Sequence, residues 1–213
     1  MKIIKSNKSI IIILCLLLLF LFETYAYAVT YWQPQPKPYI YSRSAWGARS
    51  PSSSMSSRGT GYYLIFHHTA RSFTSTDKSA CAAEIREIQN IHMDENKWSD
   101  IGYHYIIDPA GRIWQGRLDQ YIGAHTLSYN NNIGIANLGD FEGFFGIGAN
   151  TPTTASYNAM CSLSKWLAYR DNLDLPIAYC HKDFNDTACP GRNMEYYIWD
   201  SLRGHLYLNM VER

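Results

Sequence analysis

Residues 181–191 have the sequence HKDFNDTACPG. It places His181 and Cys189 at the two ends of a short polar loop that a Pro-Gly turn closes. Neutral imidazole and thiolate are ligands that zinc prefers, and a loop of this length can bring both onto one ion. In a secreted chain, however, a cysteine more often belongs to a disulfide. This stretch alone therefore leaves metal ligation and a disulfide both open.

Residues 1–28 have the three-part pattern of a secretory signal peptide. A lysine-containing start, an apolar run and a small-residue cleavage site follow one another at residues 2–8, 10–22 and 26–28. Because the apolar run is shorter than an ordinary membrane-spanning helix, an uncleaved anchor is the less favoured interpretation. We expect the mature protein to be secreted and to have no membrane partner.

Charge and length limit the classes of function. Loss of residues 1–28 removes three lysines and one glutamate, which changes the formal net charge from +1 to about −1. This balance does not indicate nucleic acid or an anionic membrane as a partner. The remaining chain is long enough for one domain with a hydrophobic core. We predict an extended, exposed, proline-rich lead-in over residues 29–41 and a single domain over residues 42–213.

Strand and helix signals alternate through the predicted domain. Short apolar runs predict strands at 62–66, 103–107, 113–115, 133–138 and 177–180. Apolar residues at helical spacing predict helices at 77–92, 153–170 and about 194–206. Thr76 or Asp77 is the expected N-cap of the first helix, and residues 108–111 form the expected type I turn. The alternation favours an α/β or α+β fold, with helices packed on a sheet.

Two histidines lie at the ends of predicted strands. His67 and His181 each follow an apolar run directly, and side chains at strand ends are held by a rigid frame. With Cys189 they make three protein ligands, which leaves a fourth zinc position for water, as in catalytic sites. A buried His67 that is hydrogen-bonded to the backbone is the alternative interpretation.

The cysteine count offers a competing hypothesis. After removal of the signal peptide the chain has Cys81, Cys161, Cys180 and Cys189, which can pair completely in three ways. The count alone favours two disulfides over metal ligation by Cys189. A secreted domain with two disulfides and no metal is therefore a third hypothesis, beside an enzyme and a binding module.

Seven stretches in a fixed order carry a family resemblance from about residue 42 onward. They are residues 44–49 (SAWGAR), 66–70 (FHHTA), 88–93 (IQNIHM), 98–104 (WSDIGYH), 123–126 (GAHT), 133–136 (IGIA) and 181–191. With these stretches the chain resembles the peptidoglycan recognition protein family, which is similar to the phage-type zinc N-acetylmuramoyl-L-alanine amidases. The resemblance implies a central mixed β-sheet, about three helices and a substrate groove on one face.

The resemblance also implies a set of site residues. The expected ligands of one Zn²⁺ per chain are His67, His181 and Cys189, and the expected catalytic residues are Tyr103 and Thr187. The expected substrate contacts are His68, His92, Trp98, Arg117 and His125. For His92, at the end of a helix face, a packing role is the alternative.

Amidases of this family cleave the amide between the lactyl group of N-acetylmuramic acid and L-alanine. Zinc activates water and polarises the scissile carbonyl, and Tyr103 can donate a hydrogen bond to the resulting oxyanion. Other members bind peptidoglycan without cleaving it, usually after losing the cysteine ligand. Because Cys189 is present, we expect a secreted monomeric amidase that acts on bacterial peptidoglycan. The family implies a role in innate immunity against bacteria, but the sequence leaves digestion, wall remodelling and the damping of signals open.

The resemblance also bears on ligand specificity, and the chain has two features that set it apart from the family pattern. Arg117 matches an arginine that pairs with the extra carboxylate of diaminopimelate, and Lys97-Trp98 half-matches the Gly-Trp pair of diaminopimelate-specific members. We therefore expect diaminopimelate-type peptidoglycan as the ligand. Ser75 replaces the first cysteine of the family's short disulfide, in which Cys81 would be the second. Asn185 begins an N-glycosylation sequon, which we expect to be unmodified.

Overall fold

A mixed β-sheet organises the fold in a computed structural model, which describes residues 30–144, 147–207 and 210–212. The described strands are β1 (Thr30–Trp32), β2 (Ile40–Tyr41), β3 (Leu64–His68), β4 (Tyr105–Ile107), β5 (Ile113–Gln115), β6 (Ile133–Asn137), β7 (Ala178–Cys180) and β8 (Met210–Glu212). Six of them form one sheet in the order β2-β5-β4-β6-β3-β7, while β1 pairs with β8. Only β4 and β5 are antiparallel within the six-stranded sheet. The predicted mixed sheet is confirmed, and the predicted signal peptide lies outside the described residues.

Helices pack on both faces of this sheet, as predicted. They are α1 (Lys78–Asn90), α2 (Thr154–Asp171), α3 (Arg192–Tyr196) and α4 (Arg203–Tyr207). A wide π-helical turn over Ile91–Glu95 extends α1, and another over Tyr197–Leu202 joins α3 to α4. The last predicted helix is therefore one continuous helical segment that contains a π-helical turn. Counted in this way, the structure has three main helices over the described residues, as predicted.

Local hydrogen bonds set the ends of the helices. The Asp77 carboxylate accepts from the backbone N–H of Ala80 at 2.8 Å, which confirms Asp77 as the N-cap of α1. Thr153 caps α2 in the same way, with Oγ1 accepting from the N–H of Ser156 at 3.0 Å. None of the described helices is long and apolar enough to cross a membrane.

The expected turn between β4 and β5 also forms. The N–H of Gly111 donates to the Asp108 carbonyl at 2.9 Å. Gly111 has φ +79°, and a Cβ there would lie 2.6 Å from the carbonyl oxygen of Ala155. Glycine is therefore required both by the backbone conformation and by the close approach of α2.

Alternation along the strands divides the apolar residues between two cores. In β3, Leu64 and Phe66 pack into the larger core, which α2 and the C-terminal helices cover. Ile106 of β4 belongs to the second core, with Trp46 and with Ile85 of α1. Because successive strand side chains point to opposite faces, His67 faces away from the core that contains Phe66.

Two strand predictions are wrong at their ends. β3 runs from Leu64 to His68, so His67 lies within the strand rather than after it. The strand starts late because the N–H groups of Tyr62 and Tyr63 donate to the side chain of Asn132, at 2.8 and 2.9 Å. β4 starts at Tyr105, which leaves Tyr103 in the preceding loop.

The lead-in carries structure that the sequence did not predict. Residues 33–39 are mostly exposed, as expected, but Trp32 is 5% exposed and packs into the larger core. Its indole N–H donates to the carbonyl of Leu173 at 2.6 Å. The correction has a physical cause, because β1 pairs with β8 from the far end of the chain, and local patterns do not reveal such a pairing.

The described cysteines Cys81, Cys161, Cys180 and Cys189 are all free. The hypothesis of two disulfides is therefore not supported. Cys81 Sγ lies 3.4 Å from the carbonyl oxygen of Ser75, which places these two residues together as the resemblance implied, without a second thiol to form the bridge.

Candidate metal centre and groove

Strand register brings the two predicted histidine ligands together. In the parallel pair of β3 and β7, Phe66 lies opposite Cys180, and each histidine is the next residue along its chain. Cys189 returns to the same place because the N–H of Lys182 donates to the Cys189 carbonyl at 2.9 Å. One possible ligand atom from each of His67, His181 and Cys189 lies within 4.8 Å of the others. The structure thus assembles the three predicted ligands.

Burial keeps both histidines in the form that binds metal. His67 is buried, and desolvation together with the neighbouring imidazoles holds its pKa well below the ordinary value. Burial also lowers the pKa of His181. Neutral imidazole is the ligand form, so neither histidine needs to lose a proton near neutral pH.

The thiol of Cys189 completes a donor set that suits zinc. Its Sγ lies 3.6 Å from Nδ1 of His67, and burial raises its pKa to about 12. A nearby divalent cation reverses this preference and favours the thiolate. Two imidazoles and one thiolate fit a tetrahedral zinc ion with one position left for water or substrate.

Tyr103 lies beside these ligands. Its ring centroid is 5.2 Å from that of His67 and 5.4 Å from that of His92. Burial raises the pKa of the phenol, and the charge of a Cys189 thiolate raises it further. The hydroxyl therefore remains protonated at neutral pH and is available as a hydrogen-bond donor.

An open groove of about 1040 Å³, including solvent-open space, runs past the candidate metal centre. Its wall is formed by Trp98, Ala124, His125, Thr126, Leu127, Asn130, His181, Asn185, Asp186 and Thr187. Three predicted site residues outside the metal triad, Trp98, His125 and Thr187, line this groove. Thr187 Oγ1 also accepts from the backbone N–H of Cys189 at 3.2 Å, so it holds the ligand loop as well as facing the groove.

His92 lies against Trp98 at the groove. The two ring centroids are 4.7 Å apart, and Nδ1 of His92 accepts from the N–H of Gly102 at 3.0 Å. Burial and the charge of Arg117 lower the pKa of His92 to about 4. His92 therefore packs beside Trp98 as a neutral side chain, and its role as a substrate contact stays a prediction.

His68 and Arg117 do not belong to the wall of this groove. Nδ1 of His68 accepts from the N–H of Phe141 at 3.2 Å. Arg117 is 5% exposed, and three of its nitrogens donate to carbonyl oxygens, those of Ile101 at 2.9 Å, Ile122 at 2.6 Å and Asp100 at 3.1 Å. A guanidinium has five N–H groups, so these three hydrogen bonds do not use all of them.

Several groove residues were missed in the sequence. The side-chain oxygen of Asn130 accepts from the backbone N–H groups of His125 and Thr126, at 2.7 and 2.8 Å. Oδ1 of Asn185 lies 3.1 Å from Nε2 of His181. The available signal was the presence of asparagines in two loops, because asparagine side chains readily hydrogen-bond nearby groups in turns.

A buried histidine beneath the groove gives a pH prediction. His104 has Nε2 2.9 Å from the Tyr121 carbonyl, and its Nδ1 accepts from the N–H of Gly134 at 2.9 Å. Its pKa is lowered to about 4, mainly by burial and to a smaller extent by Arg58 and Arg117, while the Tyr121 carbonyl and Asp119 act in the opposite direction. Below about pH 6.5 the imidazole of His104 binds a proton in the unfolded chain but stays neutral in the folded chain. We therefore expect stability to fall from about pH 6.5 towards pH 4, by about 1.4 kcal/mol per pH unit for this group.

Chemical denaturation at several pH values tests this expectation. His104→Asn removes the titration and keeps an oxygen near the position of Nδ1. We expect the variant to be less stable at pH 7 but to show a shallower loss of stability on acidification. An unchanged slope would show that His104 does not cause the acid sensitivity. The pKa of His92 is also lowered to about 4, so His92, which is intact in this variant, should account for part of the pH dependence that remains.

Comparison with known proteins shows the family of this chain. The profile of the N-acetylmuramoyl-L-alanine amidase family matches residues 58–192. Peptidoglycan-recognition protein SC2 of Drosophila melanogaster is 36% identical over 166 residues, 77% of this chain and 84% of that protein. The chain therefore belongs to the family of peptidoglycan recognition proteins and N-acetylmuramoyl-L-alanine amidases, as the resemblance predicted.

Solved structures show the same architecture. Wild-type Drosophila PGRP-LB is similar with a TM-score of 0.65 and 32% identity, over 76% of this chain and 94% of that one. Peptidoglycan recognition protein-LE is similar with a TM-score of 0.66 and 29% identity, over 76% and 94%. The latter structure is a complex with tracheal cytotoxin, a monomeric diaminopimelic acid-type peptidoglycan.

Proposed function

We propose that this chain is a secreted, zinc-dependent N-acetylmuramoyl-L-alanine amidase that cleaves the lactyl–L-alanine amide of bacterial peptidoglycan. The observation that carries the proposal is the convergence of His67, His181 and Cys189, with possible ligand atoms within 4.8 Å of one another. A binding protein needs the groove but not this donor set. The signal pattern of residues 1–28 supports secretion, and the proposed enzyme is a monomer.

The triad, Tyr103 and Thr187 have separate roles in the proposed cleavage of the amide. The triad would hold one zinc ion, which when bound supplies Lewis acidity and activates water. Tyr103, protonated and beside the triad, donates a hydrogen bond to the negative charge that develops on the amide oxygen. Thr187 holds the Cys189 loop through its 3.2 Å hydrogen bond and faces the groove, where it can contact water or substrate.

The direct test of the reaction is product analysis. The chain without residues 1–28, supplied with zinc, is incubated with a purified muropeptide. We expect two products, a free lactyl carboxylate on the sugar and a peptide that begins with L-alanine. Cleavage at a different bond, or no cleavage although the muropeptide binds, would contradict the amidase proposal.

Recognition without cleavage is the second candidate function. It is favoured by the names of the relatives, which include recognition proteins, and it would use the same groove. The two functions differ in their need for Cys189. A recognition protein would bind muropeptide equally well with Cys189→Ser, whereas the amidase would lose turnover.

We further propose that the ligand is of the diaminopimelate type, as in the complex of protein-LE. The three carbonyl partners of Arg117 do not use all of its N–H groups, and a guanidinium pairs well with a carboxylate. Lys97 is exposed and donates to the Asp94 carbonyl at 2.6 Å, so it is turned to its own loop. The preference is therefore assigned to Arg117 together with Trp98, and not to Lys97.

Cleavage of matched muropeptides that differ only at the third residue tests this specificity. We expect diaminopimelate to be preferred over lysine by about 10- to 100-fold in kcat/KM, and Arg117→Lys to lose most of the preference. Arg117→Ala leaves three carbonyl groups without their donor, so thermal unfolding of each variant is the control for folding. Lys97→Ala is the matched control and should keep the preference. Equal rates for both substrates in the wild type would overturn this assignment.

A further inference from the structure

Each histidine of the proposed zinc site has its second nitrogen held by a fixed partner. Nε2 of His67 lies 3.1 Å from Nδ1 of His125, and Nε2 of His181 lies 3.1 Å from Oδ1 of Asn185. We propose that His125 and Asn185 are positioning residues that lock His67 and His181 in the tautomers that present Nδ1 to the metal. This inference rests on the proposed function and assigns to His125 a role different from the substrate contact that the resemblance implied.

The protons of the His67–His125 pair can be placed from one backbone group. Nε2 of His125 lies 3.2 Å from the carbonyl oxygen of Asn132, which can only accept. Nε2 of His125 therefore carries the hydrogen, and in a neutral imidazole Nδ1 is then the acceptor. His67 must donate to it from Nε2, which leaves a lone pair on Nδ1, 3.6 Å from Sγ of Cys189.

The hydroxyl of Thr126 supports the same assignment. Its Oγ1 lies 2.8 Å from Nδ1 of His125 and 3.4 Å from Nε2 of His67. The hydroxyl can accept from His67 and donate to His125, which is a second route with the same direction. On either route Nε2 of His67 is the donor and Nδ1 remains unprotonated.

The amide of Asn185 is oriented by its own neighbours. Its Nδ2 donates to the carbonyl oxygens of Phe184 at 2.9 Å and Leu127 at 3.4 Å. Because two carbonyls face Nδ2, the oxygen must be the atom that faces His181, where it accepts from Nε2. Nδ1 of His181 is then left for the metal. Asn185 also joins the loop of residues 181–191 to Leu127, which is another lining residue of the groove.

Two glycines leave space for the His125 ring. A Cβ on Gly134 would lie 2.5 Å from Cδ2 of His125, and a Cβ on Gly123 would lie 2.8 Å from its Nε2. The ring therefore rests on the bare backbone of two glycines and is 7% exposed. With both ring nitrogens engaged inside the protein, His125 is better suited to hold His67 than to bind a ligand.

Zinc affinity tests the inference independently of turnover. Competition with a chromophoric chelator measures zinc binding to the chain without residues 1–28. Loss of an outer partner of a metal-bound histidine typically weakens metal binding by about 10- to 100-fold. We expect this loss for His125→Phe, which keeps a ring but has no nitrogen, and for Asn185→Ala. His125→Asn, whose amide oxygen can stand near Nδ1, should recover most of the affinity.

The outcomes separate this inference from the proposed function. If the wild type binds zinc and His125→Phe binds it equally tightly while losing muropeptide affinity, His125 is a substrate contact and the inference fails. If the wild type binds no zinc, the proposed function fails first. Should His125→Phe not fold, nitrogen NMR of the metal-free wild type decides, because we expect Nε2–H on both His67 and His181. A proton on Nδ1 of either histidine would overturn the proposal.

Discussion

Replacement of Cys189 by serine is expected to abolish zinc binding and amide cleavage together. An alcohol is a poor zinc ligand beside a thiolate, and the two remaining imidazoles hold the ion weakly. We expect zinc affinity to fall by more than the factor of about 100 that marks the upper end for outer-shell losses. The measurement is zinc content after dialysis, with turnover of muropeptide followed in the same samples.

A second cysteine provides the matched control for this variant. Cys161 lies on α2, which packs on the opposite face of the sheet from the groove, and is also a free thiol. Cys161→Ser should keep both the zinc and the activity. If Cys189→Ser retained a full equivalent of zinc and normal turnover, the ligand assignment would be wrong, whatever the fold of the protein.

Replacement of Tyr103 by phenylalanine is expected to separate catalysis from metal binding. The phenol lies beside the triad but is not one of the residues that converge on the candidate metal centre. Loss of one donor to a developing oxyanion typically costs about 100- to 1000-fold in kcat. We therefore expect kcat to fall by this factor, with zinc content and thermal stability close to the wild-type values.

The distribution of the loss between kinetic constants is informative. An interaction made only in the transition state lowers kcat and kcat/KM equally, whereas a substrate contact raises KM. We expect the first pattern for Tyr103→Phe and the second for Trp98→Ala, because Trp98 lines the groove. Unchanged kcat in Tyr103→Phe would remove the phenol from the mechanism while leaving the proposed zinc site intact.

The sequence predicted the three proposed metal ligands because the residue types of each motif are visible locally. Residues 66–70 and 181–191 each carry a recognisable ligand at the end of an apolar run. That the two runs are neighbours could not be read from the chain. The pairing of Phe66 with Cys180 joins positions far apart in sequence, and no local pattern records such a register.

Two other features could not be predicted from the sequence, because they depend on hydrogen bonds between side chains and distant backbone groups. Asn132 accepts the N–H groups of Tyr62 and Tyr63, which moves the start of β3 by two residues. Arg117 has the residue type that a carboxylate ligand requires, yet three of its nitrogens bind carbonyl oxygens of the protein. A sequence shows which groups are present, whereas their partners depend on the tertiary structure.

The contacts of His125 illustrate the same limit. The 123–126 stretch was recognised, and His125 was expected to contact substrate. Its actual neighbours are the imidazole of His67, the hydroxyl of Thr126 and a backbone carbonyl. Of the two glycines in contact with the ring, Gly123 is near in sequence, but Gly134 lies on β6 and meets the ring only in the folded chain.

The most direct test of the central claim is a zinc titration of the metal-free chain lacking residues 1–28, with cleavage of a diaminopimelate muropeptide measured at each step. We expect turnover to rise in proportion to added zinc and to stop rising at one zinc per chain. The product should be the peptide that begins with L-alanine. Full turnover before zinc is added, or none after one zinc per chain is bound, would show that the protein is not a zinc-dependent amidase.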